Sequence, residues 1–200
     1  MWSPSLPVER WVLKPVVFFL CLLPSLVLAA GLLTSNLGFN PVEALTHQTG
    51  QWGLRLLLVT LAITPLRSLT GMIWLTRFRR MLGLFSFYYV FLHFSVYFLW
   101  DQSLSLSYVV EDIVKRPYIT VGAAALLLMM PLVITSTNKM RRRLGRKWNL
   151  LHKLTYVVAA FAALHYIWLT KADYLEPMIY TAILAALMLF RLKQRVLARR

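Results

Sequence analysis

Residues 81–100 read MLGLFSFYYVFLHFSVYFLW, twenty consecutive positions without a formal charge, preceded by Arg79 and Arg80 and followed by Asp101. Twenty helical residues at about 1.5 Å each cover about 30 Å, the thickness of a bilayer's hydrocarbon core. The stretch therefore predicts a transmembrane helix, and it carries an imidazole, His93, away from both ends. A second charge-free run, Pro117–Asn138, has the same character.

Outward from these two, the apolar runs Val12–Leu33, Trp52–Leu66, Leu150–Leu169 and Pro177–Phe190 join Met81–Trp100 and Tyr118–Ser136 to give six expected spans. The fold class is an all-α membrane protein, a six-helix transmembrane bundle forming a single domain over residues 1–200. The first run has the look of a signal peptide, with Ala29-Ala30 as a cleavage region. It is longer than a typical signal core, however, and more apolar segments follow, so it reads as an uncleaved first helix. The second and sixth runs are short, and the terminal charges Arg55 and Arg191 are expected to snorkel toward the interface. No internal repeat is evident. The loops Thr34–Gln51, Asp101–Pro117 and Thr170–Glu176 leave no room for a soluble nucleotide-binding domain, and no Gly-rich phosphate loop is present. Soluble catalytic parts, if the chain takes part in redox chemistry, must lie on other chains.

Of the 200 residues, 59% are hydrophobic and 14% charged, far too little polar surface for a water-soluble domain. The net charge of +15 taken alone suggests nucleic acid as a partner, but the basic residues sit in short clusters between apolar runs. Lipid is the partner this pattern implies. With both termini cytoplasmic, the outer side keeps four of the 22 Lys and Arg residues (Arg55, Lys115, Arg116, Lys171) and the inner side the other 18, from Arg10 to Arg199 and Arg200. Six of the seven acidic residues then fall outside. The positive-inside rule predicts that orientation. Cys21, the single cysteine, reads as a small buried thiol.

Chemistry is carried by the histidines. Ionisable groups inside a membrane segment are costly and point to function. His93 lies about 12 Å before the outer end of its helix and His165 about 9 Å before the outer end of its own, so the two imidazoles fall at nearly one level. That suits the two axial positions of one haem iron, the porphyrin filling the other four. His152 lies about 20 Å deeper than His165 and can share an iron with neither. Thirteen residues at about 100° each also set His152 and His165 about 140° apart on an ideal helix, so both face the bundle interior only through a local distortion or different facing partners. The small stretch Ala159-Ala160, Ala162-Ala163 would admit a flat cofactor or a neighbouring helix. His47 is expected in the first outer loop, solvated, or, like Arg55, in contact with a haem propionate, a quinone or a partner. Arg77, Arg79 and Arg80 are expected to anchor the cytoplasmic side and are candidates to hold FMN phosphate or the propionates of an inner haem.

The stretches His47-Gln-Thr-Gly-Gln-Trp, Ile63-Thr-Pro-Leu-Arg67, Arg79-Arg-Met-Leu-Gly83 with Leu92-His93, Arg116-Pro-Tyr118, Thr135-Ser-Thr, Leu151-His152 and Leu164-His165-Tyr resemble the MsrQ family over almost the whole chain. The resemblance implies a ferric-reductase-like transmembrane domain in the bacterial inner membrane. It implies an electron-transfer subunit that passes electrons to MsrP, a periplasmic molybdopterin methionine sulfoxide reductase that repairs oxidised envelope proteins and carries the catalytic step. It also implies heme b and FMN as cofactors, the quinone pool or a cytosolic flavin reductase as donor, and His93, His152 and His165 as the haem-associated residues. One departure from the wider ferric reductase group is visible: the positions thirteen and fourteen before His93 are Arg80 and Arg79, so a second, inner haem would have His152 but no histidine partner. Two other readings compete. The chain would be the cytochrome b subunit of another oxidoreductase or metal reductase, or a transporter or assembly factor whose histidines are structural.

Overall fold

The computed structural model describes residues 5–197, for Leu6 and Arg195 the backbone alone, so Arg199 and Arg200 of the expected inner tail lie outside the described residues. Six helical stretches are long and apolar enough to cross a membrane: Glu9–Leu33, Pro41–Thr70, Arg79–Asp101, Pro117–Ile134, Arg146–Leu169 and Leu175–Gln194. In the first, the most apolar window has a mean hydropathy of 2.7 and only 11% of it is buried. Phe19, Leu20, Leu23 and Val27 are among the side chains left exposed, an arrangement that requires a lipid solvent. The chain is a multi-pass membrane protein.

The chain divides into two compact units, one ending at Asp101 and the other beginning at Gln102. The first holds α1 (Leu6–Val8), a π turn over Glu9–Leu13, α2 (Lys14–Leu33), α3 (Pro41–Thr70), a 3-10 turn over Ile73–Arg77 and α4 (Arg79–Val96), with a π turn over Tyr97–Asp101. Its largest contact is between α3 and α4, an antiparallel hairpin closed by the turn at residues 71–78. Close approach is possible because Gly53 has no side chain: a carbon added there would stand 2.8 Å from Val90 Cγ2. Ser86, fully buried, donates its hydroxyl to the Gly53 carbonyl at 2.8 Å. The helix α2 carries Pro24 in its interior, and Cys21, one turn earlier, lies in the core with Leu56, Ile63, Phe78, Leu82, Phe85 and Tyr89.

The helix α3 begins eleven residues before the expected second span. The cause is local: the Asn40 side chain accepts from the Glu43 amide at 3.2 Å and donates to the Glu43 carboxylate at 3.0 Å, and Pro41 occupies the first turn. These caps nucleate the helix inside what hydropathy alone reads as loop. At the other end Gly71 takes a left-handed conformation, φ 70°, and returns its amide to the Arg67 carbonyl at 2.8 Å.

The second unit holds α5 (Leu106–Lys115), α6 (Pro117–Ile134), α7 (Asn138–Leu144), α8 (Arg146–Leu151), α9 (Leu154–Leu169) and α10 (Leu175–Leu197). The expected outer loop Asp101–Pro117 thus contains a helix of its own. The main pair here is α6 with α9, and α10 packs on α9. Of the small-residue stretch, Ala159 and Ala163 are buried in this unit, while Ala160 is exposed. Arg191 of α10 donates to the Tyr156 hydroxyl on α9 and lies 5.0 Å from the centre of that ring.

Candidate functional site

In the first unit His93, near the end of α4, places Nδ1 2.8 Å from the Thr46 carbonyl oxygen on α3. A carbonyl can only accept, so the ring nitrogen is the donor and the imidazole lone pair belongs to Nε2. One turn beyond Thr46 stands Gly50, and a carbon added to it would lie 3.1 Å from the same Nδ1 and 3.3 Å from Cε1. The imidazole therefore rests edge-on against the backbone of α3, its orientation fixed by one hydrogen bond and one missing side chain.

The second unit repeats the arrangement. His165 of α9 donates from Nδ1 to the Tyr118 carbonyl of α6 at 2.6 Å. A carbon added at Gly122, again one turn on, would stand 2.8 Å from Nδ1 and 3.0 Å from Cε1. Carbonyl and histidine are 47 residues apart in both units. Thr46 and Tyr118, Gly50 and Gly122, and His93 and His165 are each separated by 72 residues. The repeat absent from the sequence is therefore present in the geometry. At this offset most side chains differ (Gly53 against Ala125, Ser86 against Val158), which is why no similarity shows in the string. Thr46, Gly50, Tyr118 and Gly122 were not singled out by sequence reasoning; the shared glycine-to-histidine interval was the available signal.

His152 is held differently. It caps α8, where the helix breaks before α9 starts at Leu154, supplying the distortion an ideal helix lacked. Its Nδ1 is 3.1 Å from the Trp148 carbonyl, in its own preceding turn. Its ring stacks on the Trp148 indole with centroids 3.8 Å apart and planes 25° apart. Trp148 donates Nε1 to the Thr135 carbonyl at 2.9 Å, and the Arg141 guanidinium lies 5.5 Å from its ring centre. The Arg80 position is the 72-residue counterpart of His152.

The remaining candidates disperse. His47 is not in a loop: the early start of α3 puts it on that helix, exposed, with Nε2 4.0 Å from the Glu43 carboxylate. Arg55, half-buried on α3, donates to Gln51 at 3.1 Å and lies 5.0 Å from the centre of the Trp52 ring. Arg77 ion-pairs with Glu9, whose side chain is 3% exposed and which also faces Lys14 at 3.9 Å. Arg79 and Arg80 open α4 and are exposed. Among the described residues no three of His, Cys, Asp and Glu gather into a metal-ligand set. With its Nδ1–H anchored to a carbonyl, each imidazole is oriented to offer Nε2 to an electron-deficient centre.

The family described as ferric reductase like transmembrane component matches residues 49–163. Proteins called protein-methionine-sulfoxide reductase heme-binding subunit MsrQ are similar over most of the chain. That of Herminiimonas arsenicoxydans is 47% identical across 95% of this chain and 88% of its own length. That of Brucella anthropi is 50% identical across 80% and 72%. That of Xanthomonas campestris pv. campestris is 52% identical across 82% and 75%. No solved structure matches the chain. With identity at this level across nearly its whole length, the chain belongs to the MsrQ family, within the ferric reductase-like transmembrane proteins.

Proposed function

We propose that this protein is the membrane electron-transfer subunit of a methionine sulfoxide reductase system, holding heme b on His93 and His165 and serving a periplasmic molybdopterin reductase of the MsrP kind that repairs oxidised envelope proteins. The observation that carries the reading is the matched holding of those two imidazoles. A bound haem supplies a one-electron carrier; the chain's own residues supply two axial nitrogens whose tautomer and direction are set in advance. The relatives' printed name, a heme-binding subunit, supports the same cofactor. The 18-to-4 division of basic residues supports an inner-membrane orientation with both termini cytoplasmic and His93 and His165 toward the periplasmic side.

Electrons are proposed to enter from the quinone pool, a cytosolic flavin reductase, or both. His152, stacked on Trp148 beside Arg141, is assigned to that inner half of the path, as a second haem site or a quinone contact. Arg77, which pairs with Glu9, and Arg79 and Arg80 are the arginines proposed for FMN phosphate or inner propionates.

The test is a reduced-minus-oxidised spectrum of the purified protein with haem quantified per chain. His93→Ala and His165→Ala should each remove the outer haem and abolish reduction of the partner while the chain still inserts. His152→Ala should keep that haem's spectrum and slow its reduction from the inner side. Full haem content in His93→Ala alongside complete loss in His152→Ala would overturn the assignment.

A further inference from the structure

We infer that Gly50 and Gly122 are the positioning residues of the two ligand histidines, each working with the backbone carbonyl one turn earlier as a copy of one device. The inference rests on the ligand roles proposed for His93 and His165 and adds what holds them.

A histidine on a helix can rotate about two side-chain bonds, and an iron ligand that rotates binds poorly. In both units the rotation is stopped twice. The carbonyls of Thr46 and Tyr118 take the Nδ1 proton, at 2.8 and 2.6 Å, which fixes the tautomer and directs the Nε2 lone pair away from the supporting helix. The glycine one turn later removes the side chain that would occupy the ring's place. An added carbon would meet Nδ1 at 3.1 Å for Gly50 and 2.8 Å for Gly122, and the second distance lies below any ordinary contact. Neither glycine is needed for its backbone angles, since both lie inside helices. Both also forgo the gain in helix propensity that alanine would bring, so at these points space for the ring outweighs propensity. That the same four-residue interval from carbonyl to glycine recurs 72 residues later, with a different side chain at the carbonyl position, argues that backbone and glycine are what the arrangement requires.

The electronic consequence follows from the hydrogen bond. An Nδ1–H held by a carbonyl makes the imidazole a stronger donor and favours the ferric state. An alanine that pushes the ring aside lengthens that bond, tilts the ring, and should raise the iron's potential.

The experiment compares Gly50→Ala, Gly122→Ala and the control Gly83→Ala in the full-length protein in detergent. A carbon added at Gly83 would meet only Thr60 Cγ2, at an ordinary 3.8 Å. Three readouts are taken: haem per chain, midpoint potential, and the low-spin electron paramagnetic resonance signal, which reports the angle between the two imidazole planes. Expected are a positive shift in potential and an altered signal for Gly50→Ala. Gly122→Ala should show the same changes more strongly or lose haem, and Gly83→Ala should match the wild type. If both cradle variants fail to accumulate, histidine ring modes in the infrared difference spectrum of 15N-histidine-labelled wild type decide the matter. They should report a strongly hydrogen-bonded Nδ1–H on both ligands, and modes of an unbonded Nδ1–H would overturn the inference. Wild-type potential and signal in Gly50→Ala and Gly122→Ala, with haem lost in His93→Ala and His165→Ala, would sink the inference alone. Full haem in the histidine variants would instead sink the ligand assignment beneath it.

Discussion

Tyr89 has no exposed surface, and its hydroxyl lies within another helix's hydrogen-bond ladder. It accepts from the Ser25 amide at 3.0 Å and donates to the Cys21 carbonyl at 2.7 Å, two groups that an unbroken α-helix would join to each other. Pro24 between them opens the ladder, and the phenol fills the opening, pinning α4 to α2. Tyr89→Phe should lower stability in detergent by about 1 kcal/mol, a modest figure because the freed carbonyl and amide can close on each other. The measurement is the unfolding curve in mixed detergent; a curve identical to wild type would show that the ladder closes without loss. Hydropathy gave no hint of this role, since Tyr89 is one aromatic among many on its helix. The candidate histidines were legible for the opposite reason: a titratable ring amid apolar residues is conspicuous, whereas the carbonyls that hold it belong to any residue type and leave no trace in the string.

At the scale of elements, the spans around His93 and His165 were readable because uninterrupted apolarity and the 30 Å requirement leave little choice. The beginning of α3 was not, because its first turns are polar and carry His47 on an exposed face. The cap at Asn40 is what extends it. Without that extension Thr46 and Gly50 would sit in a loop, and His93 would have no helix to lean on. Asn40→Ala should cost about 1 kcal/mol of helix-end stability. It should also raise amide exchange over residues 41–50, a change that hydrogen–deuterium exchange by mass spectrometry can follow. Exchange over that segment equal to wild type would show that Pro41 and tertiary packing suffice. The break between α8 and α9 is the other departure from the expected continuous helix. At that break His152 stacks on Trp148.

For the whole molecule, the proposed orientation makes a prediction independent of any cofactor. In a Cys21→Ala background, single cysteines at His47, Glu111 and Asp173 should react with an impermeant thiol reagent added to intact cells lacking an outer-membrane barrier, and one at Arg142 should not. Labelling at Arg142 would reverse the topology and with it the side on which the partner docks. Six helices and their order were legible from hydropathy; the division into two like hairpins was not, because spacing is retained while side chains are replaced. What joins the paired helices differs between the halves: Gly71 and a 3-10 turn over Ile73–Arg77 in one, two short helices and a break at His152 in the other. Each imidazole is therefore placed by register within its own helix, and not by the form of the connection that precedes it. One residue gained or lost inside α4 or α9 ahead of its histidine would swing the imidazole about 100° off its carbonyl. The same residue added at the turn would be absorbed as slack, so the hairpin turns, and not the helices, are where this chain has latitude to change its length.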